Sequence, residues 1–367
     1  MKHMIRNFTM VAFAAILALS ATPALASGPT FVGMFPSNSM IASTVPANGD
    51  INPYGVAVVP RSTGKLVRGD VLVSNFNSSA NLQGTGTTIV EISPQGAVKL
   101  FAQIDATKLP GVCPGGVGLT TALAVTQSGW VIVGSLPTKD GSAATAKAGC
   151  LIVLNSKGRA VETISGSLIN GPWDMTAFES ENFVTLFVTN VLNGTVAANG
   201  GVVNKGNVVR IILKVNENDL PRVVSHTVIA SGFGERTDAA ALVIGPTGVG
   251  LANNGTLFVA DTLVNRIAAI PYALTRMTSA GTGHTVSTGG ALNGPLGLAI
   301  AKGGDILTVN SNDGNLVETT PAGTQVAVRG IDLTGTGGGT LFGLALTLNS
   351  KGIFYVNDGN NTLDLLH

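Results

Sequence analysis

Short apolar runs, each closed by a turn of glycine, asparagine, serine or proline, recur from residue 30 to the end of the chain. The runs are rich in β-branched residues, and none continues at a 3.6-residue period long enough to make an amphipathic helix. The pattern therefore predicts an all-β protein. The clearest stretch is Gly245–Ile270, GPTGVGLANNGTLFVADTLVNRIAAI. It reads as a Gly-Pro turn, a strand over Val249–Leu251, an Asn-Asn-Gly turn, a strand over Leu257–Ala260 with Asp261 at its end, and a strand over Arg266–Ile270.

Copies of this unit can be laid along the chain. Its first strand recurs at Tyr54–Val58, Thr121–Val125, Trp173–Ala177, Thr247–Leu251, Leu296–Ile300 and Phe342–Leu346. The last two steps are 49 and 46 residues, and the earlier, longer ones need insertions. A period of 40 to 50 residues with four short strands per repeat is the signature of a β-propeller. Second strands end at Asn75, Ser135, Asn190, Asp261, Ser311 and Asp358, and third strands follow each of them. Fourth strands fall at Val98–Ile104, Ala160–Ile164, Val223–Ile229, His284–Thr288 and Thr324–Val328. The sixth unit lacks one, because the sequence stops at His367, and the apolar segment Thr30–Phe35 is expected to supply it. The fold expected is a six-bladed β-propeller of four-stranded antiparallel blades, a single domain over 27–367 closed by an N-terminal strand that completes the last blade. Such a closure protects an otherwise open sheet edge.

The GP-x-G-[LV] starts, LFVADTLVNRI (Leu257–Ile267) and YVNDGNNTL (Tyr355–Leu363) resemble NHL-type repeats, over essentially residues 30–367. Blades 1 to 3 depart from the repeat, with Asn75, Ser135 and Asn190 where it prefers aspartate. The resemblance implies the blade and says little about chemistry, since the fold hosts enzymes, ligand binders and interaction scaffolds alike. In blade count the chain also resembles, at a distance, the gluconolactonase-like and strictosidine-synthase-like propellers. The gluconolactonase-like resemblance implies a central divalent ion held by Glu, Asn and Asp. Their acidic residue at the entrance of the first blade is missing here, where the sequence has Asn52-Pro53-Tyr54. Lyases on related propellers depend on histidine, and beyond the expected leader this chain offers only His226 and His284 on expected outer strands, and terminal His367.

Composition narrows the setting. Lys2, His3 and Arg6 precede an apolar run over Phe8–Leu19 and Ala24-Leu25-Ala26, the pattern of a signal peptide cut after Ala26. An exported protein, periplasmic or extracellular, is expected, with no membrane span after the signal is removed and a monomeric state. Without Lys2 and Arg6 the formal charge falls from +1 to −1, which disfavours nucleic acid as a partner. Charged residues make up 11% of the chain, so its surface must be built largely of Asn, Thr, Ser and Gly. An outer-membrane barrel would need longer alternating strands and aromatic girdles, which aromatics at 5% do not provide.

Loop lengths pick out one face. The second-to-third links of blades 1 to 3 and the inter-blade links Asp105–Gly118, Ala230–Gly245 and Asp332–Gly339 are long, and in a propeller these lie on the same side. The opposite links are mostly terse. Long loops on a rigid scaffold carry function, so the elaborated face is the expected binding face. Cys113 and Cys150 both map to it, and in an exported protein the pair reads as a disulfide.

The candidates at the channel mouth are Asn52, Asn75, Ser135, Trp173, Asp174, Asn190, Asp261, Ser311 and Asp358. Asp174 stands out because it replaces the glycine or alanine of the other blades, and with neighbouring Asn and Asp oxygens it is a candidate ligand for Ca²⁺ or another divalent cation. The competing reading is that such residues accept backbone N–H bonds in turns. Trp173 is either core or a ligand platform. Arg236, beside Glu235 and Asp238, is a candidate contact for an anionic ligand or a partner in a loop salt bridge. No GxSxG, HExxH or P-loop motif is present. Three readings result: a binding propeller for a small molecule or an envelope or extracellular protein, with no catalytic activity assignable; a metal-assisted hydrolase or lyase acting on a small ester or lactone, with Asp174 as a ligand; and a structural envelope component.

Overall fold

Six sheets stand around a common axis, each contributing its first strand to the channel wall. The computed structural model describes residues 29–215, 219–239, 241–332, 334–335 and 338–367. The expected leader, residues 1–26, lies outside the described residues. Strand β1 (Asn38–Ser43) precedes the first complete blade. Blade 1 comprises β2 (Ile51–Val58), β3 (Val71–Asn77), β4 (Thr88–Ile92) and β5 (Val98–Gln103), and blade 2 comprises β6 (Leu119–Val125), β7 (Val131–Ser135), β8 (Cys150–Leu154) and β9 (Ala160–Ile164). Blade 3 contains β10 (Pro172–Ser180), β11 (Phe183–Asn190), β12 (Val203–Lys214) and β13 (Arg222–Asp238), with β14 (Leu242–Ile244) added to its edge. Blade 4 is β15 (Pro246–Leu251), β16 (Leu257–Asp261), β17 (Arg266–Ile270) and β18 (His284–Thr288). Blade 5 is β19 (Pro295–Ile300), β20 (Ile306–Asn310), β21 (Asn315–Thr319) and β22 (Gln325–Gly330). Blade 6 is β23 (Leu341–Leu346), β24 (Ile353–Asn357) and β25 (Thr362–Leu366), completed by β1. All pairings are antiparallel, and each inner strand packs against the next around the ring.

The glycines of the inner strands are explained by close approach. A Cβ on Gly297 would sit 2.0 Å from the Phe342 carbonyl oxygen, and one on Gly343 would sit 2.2 Å from that of Tyr54. The inner strands therefore meet backbone to backbone, which only glycine permits. The spaces between blades are filled by Val, Ile and Leu from the middle strands, such as Leu72, Val133, Ile211 and Val259, which are fully buried.

The ring closes as expected but with a different segment. The closing strand is Asn38–Ser43, which pairs Asn38 with Leu366 and Ser43 with Thr362. The apolar Thr30–Phe35 is not that strand. Val32–Met34 form a 3-10 turn that buries Val32 and Phe35 against blades 5 and 6, and the Phe31 and Val32 amides donate to the Glu318 carboxylate at 2.8 Å each. Its apolar side chains are used for packing, whereas the polar Asn-Ser-Met-Ile-Ala-Ser run supplies backbone hydrogen bonds at an edge. The expected disulfide is formed: Cys113 and Cys150 are joined across Cα atoms 5.3 Å apart.

Candidate functional site

The link Ala230–Gly245, expected to be a loop, is instead a ribbon. β13 runs on past the blade, and Arg236, Thr237 and Asp238 pair with Ile244, Val243 and Leu242 of β14. This arm crosses the mouth of the central channel on the loop-rich face. At its tip the Ala239 carbonyl accepts from Gln83 Nε2 of blade 1 (2.9 Å), and the Trp173 indole N–H donates to the Val243 carbonyl (3.0 Å). Ala241–Ile244 are buried against Tyr54, Phe76, Leu136, Trp173 and Phe342. Below them Phe76, Tyr54 and Phe342 form a stack with ring centroids 4.4 and 3.9 Å apart, and Trp173 lies 6.3 Å from Tyr54. The channel mouth is thus filled with apolar side chains from four blades and the arm.

Beneath this plug, on the short-loop side, the channel widens to a cavity of about 310 Å³ lined by Thr121, Asp174, Thr176 and the apolar ends of the inner strands. Asp174 is the only carboxylate on that lining. Its Oδ1 accepts from the Met175 amide (2.7 Å) and its Oδ2 from the Val249 amide of blade 4 (3.2 Å). These bonds favour the charged form, but full burial outweighs them and raises its pKa to about 8. Asp174 thereby ties the inner strands of blades 3 and 4 at the place where the other blades use glycine or alanine.

The remaining candidates sit at strand ends and are taken up by the scaffold. Asn75 Nδ2 donates to the Thr44 carbonyl (3.0 Å). Asn190 Nδ2 faces Asn207 Oδ1 (3.4 Å), and the Ser135 hydroxyl donates to the Gly116 carbonyl (3.0 Å). Asp261 is held by Arg266, whose Nε and Nη2 donate to Oδ2 at 3.0 and 2.7 Å. Asn52 has φ +62° and donates its amide to Asn361 Oδ1 (2.7 Å). Asp358 is half-buried, and burial followed by the nearby Asp332 carboxylate raises its pKa to about 7. Trp173 is core and supports the arm. Both Asp174 oxygens accept from backbone amides, and among the described residues no three His, Cys, Asp or Glu side chains are grouped around one point.

An open cleft lies beside the plug on the same face. Its volume is about 520 Å³, and it is lined by Arg236 and Asp238 of the arm, Thr262 and Asn265 of blade 4, Ser311 and Asn312 of blade 5, and Phe342 of blade 6. Arg236 and Asp238 form an ion pair at 3.0 Å. Glu235 points the other way, fully buried, accepting from the Asn193 amide (2.9 Å), with its pKa raised by burial to about 7. Sequence reasoning reached Arg236, Asp238 and Ser311, assigned Asn265 to holding its blade together, and did not single out Asn312 or Phe342. Only the long Ala230–Gly245 link hinted at a feature there.

No family model matches this chain, and no curated protein sequence matches it. Among solved structures it is similar to the calcium-binding protein regucalcin from Agrobacterium tumefaciens, at 12% identity and TM-score 0.56, covering 89% of this chain and 93% of the other. A gluconolactonase from Xanthomonas campestris aligns at 12% identity and TM-score 0.53, over 87% and 86% of the two chains. A catalytically inactive virginiamycin B lyase from Staphylococcus aureus, solved with quinupristin, aligns at 14% and 0.50, over 90% and 86%. At these identities the likeness shows the fold.

Proposed function

We propose that this protein is an exported, monomeric binding propeller that takes a small hydroxylated ligand in the cleft between the arm and blades 4 to 6. One observation carries the reading: the channel mouth is packed shut by aromatic rings and the arm, while the neighbouring cleft of about 520 Å³ collects polar side chains from three separate elements. Concave sites with a few convergent polar groups on a rigid scaffold are the usual form of a small-molecule site. The basic-apolar-small pattern of residues 1–26 supports export, and the repeat-like starts support an NHL-type scaffold. The test is a thermal-shift screen of hydroxylated small molecules. A saturable rise in Tm that weakens at least tenfold in both Arg236→Ala and Asn312→Ala supports the cleft. Binding indifferent to both substitutions overturns it.

The second reading, a metal-assisted hydrolase or lyase of small esters or lactones, draws on the fold shared with a gluconolactonase, a lyase and a calcium-binding protein, and on the one carboxylate of the channel wall. It expects Ca²⁺ or Zn²⁺ to raise Tm and Asp174→Ala to abolish that rise. No metal effect on Tm rejects it.

A further inference from the structure

Behind the aromatic plug the channel forms a pocket that opens at the short-loop end, where Ala177 of blade 3 is exposed. Its volume of about 310 Å³ lies at the lower end of the range for small-molecule sites. The wall is largely aliphatic, with Val56, Leu123, Val249, Leu251, Leu298 and Leu344 around it. Among the described residues, no aromatic ring and no lysine, arginine or histidine lies on this lining.

Two polar side chains of the wall keep hydrogen-bonding capacity that the fold does not use. Asp174 is 8% exposed, and its two oxygens accept one backbone amide each, from Met175 (2.7 Å) and Val249 (3.2 Å). A carboxylate offers about four acceptor positions, so the tie between blades 3 and 4 leaves roughly half of them open. Thr121 of β6 is 4% exposed, and its hydroxyl lines the same pocket without a hydrogen-bond partner. Strands β6 and β10 pack side by side on the channel wall, which brings the two residues to one side of the pocket. A buried hydroxyl without a partner is costly, and so is a buried carboxylate without a cation. The second cost is the reason that burial raises the Asp174 pKa to about 8.

These features select a ligand class. An anion would meet the carboxylate with no base to offset it, and a hydrocarbon would leave both polar groups unmatched. A protonated aliphatic amine meets all of them, because its N–H groups form charge-assisted hydrogen bonds and its chain is as apolar as the wall. We propose that the short-loop end of the channel binds a small aliphatic ammonium ion, its N–H groups donating to the Asp174 carboxylate and the Thr121 hydroxyl and its chain lying along Leu251, Leu298 and Leu344. This site is separate from the cleft on the opposite face and does not depend on it. Asp174 then serves the scaffold with one half of its acceptor capacity and the ligand with the other.

The test is calorimetric titration of the mature protein with pentylammonium chloride. It is run at about pH 9, where Asp174 is ionised and an alkylamine, like lysine with its pKa of about 10.4, keeps its proton. 1-Pentanol supplies the chain without the charge, and ammonium chloride the charge without the chain. The expected result is one-to-one binding of pentylammonium, with each control at least tenfold weaker. Asp174→Asn, which keeps the shape of the side chain, is expected to weaken pentylammonium binding at least tenfold, and Thr121→Val at least threefold. No saturable binding, equal affinity for pentylammonium and pentanol, or a pentylammonium affinity unchanged in either variant overturns the proposal. If Asp174→Asn does not fold, Thr121→Val decides alone by the same criterion.

Discussion

Asp261 shows how a residue with the composition of a ligand becomes part of the scaffold. Its side chain is almost buried, and burial raises its pKa against the opposing pull of Arg266, which donates two hydrogen bonds to one oxygen. Removing one member of a buried pair leaves an uncompensated charge. Arg266→Ala is therefore expected to lower stability by about 3 kcal/mol, with Asp261→Asn in the same chain recovering part of the loss, as read from urea denaturation. Asn265 extends the tie to the next blade by accepting from the Gly294 amide at 2.6 Å. Asp174 plays the same part between blades 3 and 4 through backbone amides. From the sequence both carboxylates could have been ligands or turn acceptors, because spacing does not say which donors lie within 3 Å of a side chain.

At the scale of the element, closure and cross-linking carry the testable weight. β1 covers the edge of β25, and the backbones of Ser37 and His367 exchange hydrogen bonds of 2.9 and 2.8 Å just beyond it. A chain starting at residue 45 leaves β25 as an unpaired edge, a template for pairing with another chain. It is expected to elute as larger species or precipitate in size-exclusion chromatography relative to a chain starting at residue 29, which keeps β1 and the Phe31 and Val32 amides on Glu318. The Cys113–Cys150 bridge ties the entry loop of blade 2 to β8 across 37 residues. The chain-entropy model gives roughly 4 kcal/mol for such a loop. Cys113→Ser with Cys150→Ser is expected to lower Tm by several degrees with no change in far-ultraviolet circular dichroism. The existence of β1 was legible as a missing fourth strand in the last blade. Its position was not, because an edge strand needs backbone partners and hardly any apolar side chains, and the more hydrophobic Thr30–Phe35 drew the assignment.

Across the whole molecule, eight carboxyls among the described residues have pKa values raised chiefly by burial: Asp174 to about 8, Glu235 and Asp358 to about 7, Asp364 to about 6, and Asp70, Glu91, Asp261 and Glu318 in the same direction. In the unfolded chain they titrate near 4, so between about pH 4 and pH 8 the folded state binds more protons than the unfolded one, and stability falls as pH rises. Tm is expected to decline steadily from pH 5 to pH 8.5, and Asp174→Asn to flatten the upper part of that decline. A Tm constant over this range contradicts the assignment. The sequence by itself determined the number of blades, the strand order, the ring closure, the disulfide and the loop-rich face, because strand patterning, turn chemistry and loop length are local and repeat six times. What occupies the channel mouth was decided only in three dimensions. Ala230–Gly245 looks like one more inter-blade loop until it is seen to pair with itself and cover Tyr54, Trp173 and Phe342, residues far apart in the chain that meet only because the ring brings their inner strands together.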